Sequence, residues 1–226
     1  KDDWKKLGRC IRYLRGSKHL VLMLEAEEGM AIKWYVDASF AVHPDMRSHT
    51  GATMTMGKGA VYSISTKQKI NTKSSTEAEL VGVDDAMPLV VWTRNFLEAQ
   101  GYQVKDNVVY QDNQSVILLE KNGRASSGRR TRHINIRYFF VTDNVKDGKL
   151  RIEYCPTDEM TGDFNTKPLQ GSRFRKHRKD ILNLSNDATK IDGVASQECV
   201  GANRSYADVV RGVQTTELGP RGIKLK

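Results

Sequence analysis

The chain has 226 residues, enough for one hydrophobic core with appended pieces. Lys and Arg number 36 against 27 Asp and Glu, and the net charge of +9 favours a polyanion or an anionic surface as partner, or serves solubility alone. No apolar run approaches the roughly 20 residues of a membrane span, the scattered Cys10, Cys155 and Cys199 argue against a disulfide framework and fit a reducing compartment, and the histidines show no zinc spacing. No signal-peptide pattern opens the chain, and with Lys1 in place of an initiator Met a fragment of something longer is the expectation, which would not show one.

The opening stretch, residues 4–24, places Leu7, Ile11 and Leu14 on one helical face with Trp4 a turn earlier; Gly16 ends the helix and "LVLML" reads as a short strand. From Met30 the pattern becomes compact. "AIKWYVDASF" alternates Ile32, Trp34 and Val36 against Lys33, Tyr35 and Asp37, which is strand period. "TGATMTM" alternates again, "GKG" at 57–59 signals a hairpin turn, and "AVYSIST" returns as a third strand. A long helix follows, with Ala78, Val81, Asp85, Leu89, Trp92 and Phe96 at helical spacing, Pro88 kinking it and Gly101 closing it. "NVVYQD" is a fourth strand and "NQSVILLEKNG" a short helix. A helix facing inward through Ile136, Phe139, Phe140 and Val145 comes next, then the strand "KLRIEYCP" and a last helix over "TDEMTGDFNTKPL", stopped by Pro168. Three strands in meander, then helices alternating with strands, predict an α/β layered domain built on a five-stranded mixed sheet. The expected organisation is 1–29 as the tail of an upstream domain, 30–170 as the α/β domain, 171–184 as a basic helix and 185–226 as a mostly disordered tail.

Four acids stand at telling places: Asp37 inside the first strand, Glu77 in the first turn of the long helix, Asp112 ending the fourth strand and Asp163 on the last helix. In a mixed sheet, sites gather where strand ends meet helix starts. Crowded carboxylates repel, and burying them unpaired costs several kcal/mol each. A pair of Mg²⁺ or Mn²⁺ ions removes that problem and can flank a scissile phosphate. Each acid also has a structural explanation. "SSTE" is a capping box with Ser74 as N-cap and Glu77 reaching back. Asp112 followed by Asn113 suits a strand-end turn, and Asp163 a solvated helix position. Asp37, inside a strand, has no comparable excuse.

"YVDASF", "STKQKINTKSSTEAEL", "YQDNQSVILLEKN", "TRHINIRYFFV" and "IEYCPTDEMTGDFNTKPL" together resemble the ribonuclease H domain of copia-type LTR-retrotransposon Pol polyproteins, and "WKKLGRCIRYLRGSK" resembles the segment joining the reverse transcriptase to it. The resemblance spans about residues 4–184. It implies a ribonuclease H-like three-layer fold with helices on both faces of the sheet. It implies two bound Mg²⁺ ions (Mn²⁺ as a substitute) held by Asp37, Glu77, Asp112 and Asp163, and hydrolysis of the RNA strand of RNA–DNA hybrids to 5′-phosphate and 3′-hydroxyl ends. It also implies an upstream reverse transcriptase domain as partner and a setting in cytoplasmic virus-like particles or the nucleus. The chain departs from the family at Gly162, where Ala is usual, and at Asn165, where a bulky apolar residue is usual; both departures predict a loosened final helix.

Basic residues flank the acids. Lys67, Lys69 and Lys73 precede the long helix, and Arg129, Arg130, Arg132 and His133 cluster at a helix start, so both sets are candidates for gripping phosphates. His133 also suits a helix-start contact to a nearby backbone group or carboxylate. Trp34, Tyr35, Trp92, Tyr138, Phe139 and Phe140 are expected in the core. Two alternatives stand beside the hybrid ribonuclease: a hybrid-binding module whose chemistry has decayed, and a DNA-cutting nuclease on the same fold.

Overall fold

A computed structural model describes residues 2–122 and 135–185. These divide into two compact units, and the first contributes the helix α1 (Asp2–Ser17), which carries the expected stripe of Trp4, Leu7, Ile11 and Leu14. The second unit, Val21–Ser185, holds the sheet and everything below. Among the described residues no helix is long and apolar enough to cross a membrane.

The element order in this unit is β1 (Glu25–Ala26), β2 (Ala31–Ser39), β3 (His49–Thr55), β4 (Gly57–Lys58), β5 (Tyr62–Lys67), α2 (Ser75–Ala99), β6 (Asp106–Gln111), α3 (Gln114–Asn122), α4 (Asn135–Lys146), β7 (Arg151–Tyr154), α5 (Asp163–Thr166) and α6 (Gly171–Leu182). The described strands form a five-stranded mixed sheet in the order β5-β3-β2-β6-β7. The β2–β3 and β3–β5 pairs are antiparallel; β2–β6 and β6–β7 are parallel. The expected mixed sheet is therefore present, with β2 at its centre.

Period two along β2 sends Ile32, Trp34 and Val36 to one face, where they join Ala52, Met54, Val109 and Ile152 beneath Val83, Met87 and Val90 of α2 and Val141 of α4. Each such side chain contributes roughly 1.5–3 kcal/mol on burial. The polar Asp85 on this side of α2 accepts the Thr50 hydroxyl at 3.1 Å. Gln68 donates to Thr50 Oγ1 at 3.1 Å and to the Ala78 carbonyl at 2.9 Å, pinning the start of α2 to the sheet. The helix closes with the Gly101 amide bonded to Glu98 and the Tyr102 amide to Leu97. The segment around α5 covers the opposite face: Asn165 Nδ2 donates to the Ala52 carbonyl at 3.0 Å, and Thr161 meets Thr53.

Several local expectations are corrected. The short strand near residue 21 forms instead at Glu25–Ala26 and pairs with Gly57–Lys58, so "GKG" is itself partly a strand and the β3–β5 connection is longer than a tight turn. Met23 and Ala60 bond to the carbonyls of Leu182 and Ile181, which draws both 21–29 and α6 into the sheet unit. On α4, Val141 is buried and Phe139 and Val145 pack against the core, while Phe140 is exposed. Trp92 is also exposed and stacks on Phe96 at 5.0 Å instead of entering the core. The final helix is only four residues long, because 157–162 runs as turns before it and Pro168 follows it.

Candidate metal centre

The centre lies where β2 and β6 run side by side in parallel. Tyr35 pairs with Tyr110 in that ladder, and the next residues on the same face are Asp37 and Asp112, level with each other. Asp37 belongs to the strand face opposite Trp34 and Val36 and is 1% exposed; Asp112 stands just past the end of β6 and is half-buried. Thr157 donates to Asp112 Oδ2 at 3.0 Å.

The third acid is Glu79, not Glu77. Glu79 Oε2 accepts the backbone amide of Ala38 at 3.0 Å. Asp37, Glu79 and Asp112 each present a carboxylate oxygen, all within 4.8 Å of one another. Glu77 lies two residues earlier, about 200° around the helix axis. Its amide donates to Ser74 Oγ at 3.2 Å and its Oε2 accepts the Lys73 amide at 2.7 Å. Its carboxylate is thus occupied in capping the helix, the structural role that the "SSTE" motif also allowed. Glu79 shares a helical line with Val83, Ala86 and Val90, all buried. An acid at the head of a buried apolar stripe was the signal for it, and the neighbouring capping motif obscured that signal.

Asp163 opens α5 and is fully buried. Its Oδ1 is 2.6 Å from Lys167 Nζ, which is also 3.3 Å from Asp37 Oδ1. Thr166 donates its hydroxyl to Asp37 Oδ2. The remaining Asp163 Oδ2 is buried without a hydrogen-bond partner. The structure therefore brings together Asp37, Asp112 and Asp163 of the four expected acids and adds Glu79.

Gly162 and Asn165 do not loosen this corner. A Cβ on Gly162 would stand 2.8 Å from the Tyr35 carbonyl and 3.1 Å from the Asp37 amide, so glycine lets the α5 turn sit directly on β2. Gly51 serves the same approach from β3, where a Cβ would meet Thr166 Cγ2 at 2.5 Å. Besides its bond to Ala52, Asn165 accepts the Ser65 hydroxyl on its carbonyl at 2.8 Å.

Burial, together with the charges of Asp37 and Asp112, pushes the Glu79 carboxyl up to about 9, against the opposing pull of Lys167 and the Ala38 amide. Burial also raises the Asp37 carboxyl, and the Asp163 charge adds to this, while Lys167 and Thr166 work the other way. A group of oxygen donors that cannot all be ionised at neutral pH, with one buried oxygen unpaired, fits hard divalent cations.

Of the expected phosphate-gripping residues, Lys67 is paired with Asp45 at 2.8 Å, whereas Lys69 and Lys73 are exposed in the loop before α2. Arg129, Arg130, Arg132 and His133 lie outside the described residues. In α6, Arg173 pairs with Asp158 at 2.8 Å and His177 is buried, so that basic run is partly internal.

A central strand flanked by one parallel and one antiparallel neighbour, helices on both faces and carboxylates at the β2–β6 seam define a ribonuclease H-like α/β domain. No protein-family model matches the chain. It is 34% identical over 175 residues to the retrovirus-related Pol polyprotein from transposon TNT 1-94 of Nicotiana tabacum. It is 31% identical over 182 residues to that from transposon RE2 of Arabidopsis thaliana. These matches cover 77% and 80% of this chain but only 13% and 12% of the relatives, so the chain spans about an eighth of their length. Among solved structures it resembles LC11-RNase H1 isolated from compost, with 12% identity, a TM-score of 0.46 and coverage of 60% of this chain and 92% of that one. The chain is a homologue of the retrovirus-related Pol polyproteins of plant transposons.

Proposed function

We propose that this domain is a divalent-cation-dependent endonuclease that cuts the RNA strand of RNA–DNA hybrids within a transposon Pol polyprotein, alongside a reverse transcriptase domain, in virus-like particles or the nucleus. The observation that carries the reading is the convergence of Asp37, Glu79 and Asp112 on one point, with Asp163 bonded to the same lysine as Asp37. Homology to Pol polyproteins supports it.

Two Mg²⁺ or Mn²⁺ ions would supply activation of the attacking water and stabilisation of the leaving oxygen. Asp37 stands between the two halves of the acid set and would be shared by both. Glu79, steadied by the Ala38 amide, and Asp112, steadied by Thr157, would complete one half; Asp163 would complete the other. Lys69 and Lys73 would hold the hybrid backbone without reading sequence. Gly162 and Asn165, the two departures from the family pattern, both have packing roles that support an intact α5 turn and speak against decayed chemistry.

The test is a labelled RNA–DNA hybrid incubated with Mg²⁺. The expected result is RNA-strand cutting that Asp37→Asn and Glu79→Gln each abolish while hybrid binding persists. Tight binding with no cutting in any divalent cation would favour the decayed module, and cleavage of duplex DNA would favour a DNA nuclease.

A further inference from the structure

The acid set, among the described residues, meets a Lys or Arg at contact distance on one side only. Among the described residues, neither Glu79 nor Asp112 has a Lys or Arg nitrogen within ion-pairing distance. The other half, by contrast, is already closed by a cation of the protein itself: Lys167 Nζ lies 2.6 Å from Asp163 Oδ1 and 3.3 Å from Asp37 Oδ1. Lys167 sits one helical turn after Asp163 and just before Pro168, so the backbone fixes where its stem begins. Its side chain remains 36% exposed, which leaves a path for the ammonium to swing into water without unfolding anything. An ammonium and a divalent cation cannot share the gap between the same two oxygens, because their charges repel at contact distance.

We propose that Lys167 is a built-in counter-ion for the Asp37–Asp163 pair, and that a divalent cation occupies this half of the centre only by displacing it. The inference rests on the nuclease reading and extends it to the order of loading. The Asp37–Glu79–Asp112 half binds its cation first and tightly, and the Asp37–Asp163 half binds second and weakly. Lys167 also keeps the buried Asp163 compensated whenever the second cation is away.

Mn²⁺ titration of the full chain without nucleic acid, read by the paramagnetic resonance of free Mn²⁺, tests this together with melting in EDTA and in Mn²⁺. The wild type should show a tight and a weak class of site. Lys167→Met should tighten the weak class by on the order of tenfold and leave the tight class alone. It should also melt below wild type in EDTA and recover in Mn²⁺. Lys167→Arg, which keeps the cation, should behave as wild type, and Asp163→Asn should lose the weak class only. Lys167→Gln, which keeps a hydrogen-bond donor without the charge, should match Lys167→Met and provides the same readout if the methionine variant folds poorly. An unchanged weak class in both neutral variants, or an equal melting loss in EDTA and Mn²⁺, overturns the proposal and leaves Lys167 a structural tie. Absence of any Asp37-dependent Mn²⁺ site in the wild type overturns the nuclease reading itself, and the counter-ion role with it.

Discussion

Glu79 accepts the amide of Ala38 at 3.0 Å, one residue beyond Asp37 on the central strand. This bond crosses from helix to strand and aims one carboxylate at another. It also separates the two glutamates of "STEAEL" by role, since Glu77 is spent on the Lys73 amide at 2.7 Å.

Exchanging each glutamate for glutamine should therefore give opposite outcomes. Glu79→Gln is expected to lower hybrid cleavage to background with little loss of fold. Glu77→Gln keeps an acceptor for the Lys73 amide and is expected to cost less than about 1 kcal/mol and to retain most activity. Side-by-side melting and cleavage assays check this, and a silent Glu79→Gln would remove that residue from the centre.

Stability without cations should fall with rising pH. Burial and the neighbouring acids hold the folded Glu79 carboxyl near about 9, against an ordinary value of 4.5. Between those values the folded state keeps a proton that the unfolded state has released, so rising pH favours unfolding. The contribution is complete below the lower value and is lost towards the upper one, at up to about 1.4 kcal/mol per pH unit. Chemical denaturation in EDTA from pH 5 to 9 should show the slope, Glu79→Gln should flatten it, and saturating Mn²⁺ should reverse it.

Gly162→Ala should destabilise the domain by roughly 1–3 kcal/mol, because the new methyl meets the Tyr35 carbonyl at 2.8 Å and lifts Asp163 away from Asp37. Cleavage should fall further than the melting temperature alone accounts for. Asn165→Leu removes the bond to the Ala52 carbonyl and should cost about 0.5–1.5 kcal/mol. Thermal melts at matched pH separate these from neutral changes.

Lys69 and Lys73 are exposed on the loop leading into α2. Replacing both by alanine should weaken hybrid binding equally across sequences. It should also flatten the dependence of log affinity on log salt by roughly 0.9 for each phosphate that is no longer neutralised. An unchanged salt slope would remove this loop from the interface.

Much of this architecture was legible in the residues. The alternation through Trp34 and Val36 located β2 and put Asp37 on its other face, a carboxylate with no structural reason to be there. The β2–β6 pairing that brings Asp37 beside Asp112 is not dictated by the element order and emerges in the folded sheet. Glu79 was missed because the metal role was laid on the neighbouring Glu77, whose capping job the motif also gave, although the apolar stripe Val83, Ala86 and Val90 behind Glu79 stands in the sequence. The short α5 escaped as well. Helical spacing persists through residues 157–166, but the close seat on Gly51 and Gly162 is a tertiary constraint that no local pattern records. Lys167 stood in the "TKPL" stretch with no role assigned, and its place depends on two acids, one of them 130 positions away in sequence.

The sheet order leaves the acids on elements of unequal persistence. β2 is hydrogen-bonded on both edges, so its amides should exchange with deuterium only through global opening. The turn bearing Asp163 and Lys167 is a single four-residue helix, tied to the sheet through side chains, Asn165 to the Ala52 carbonyl and Thr166 to Asp37. One wall of the centre is thus continuous with the sheet ladder and the other rests on side-chain ties, so the amides of the α5 turn are expected to exchange before those of β2.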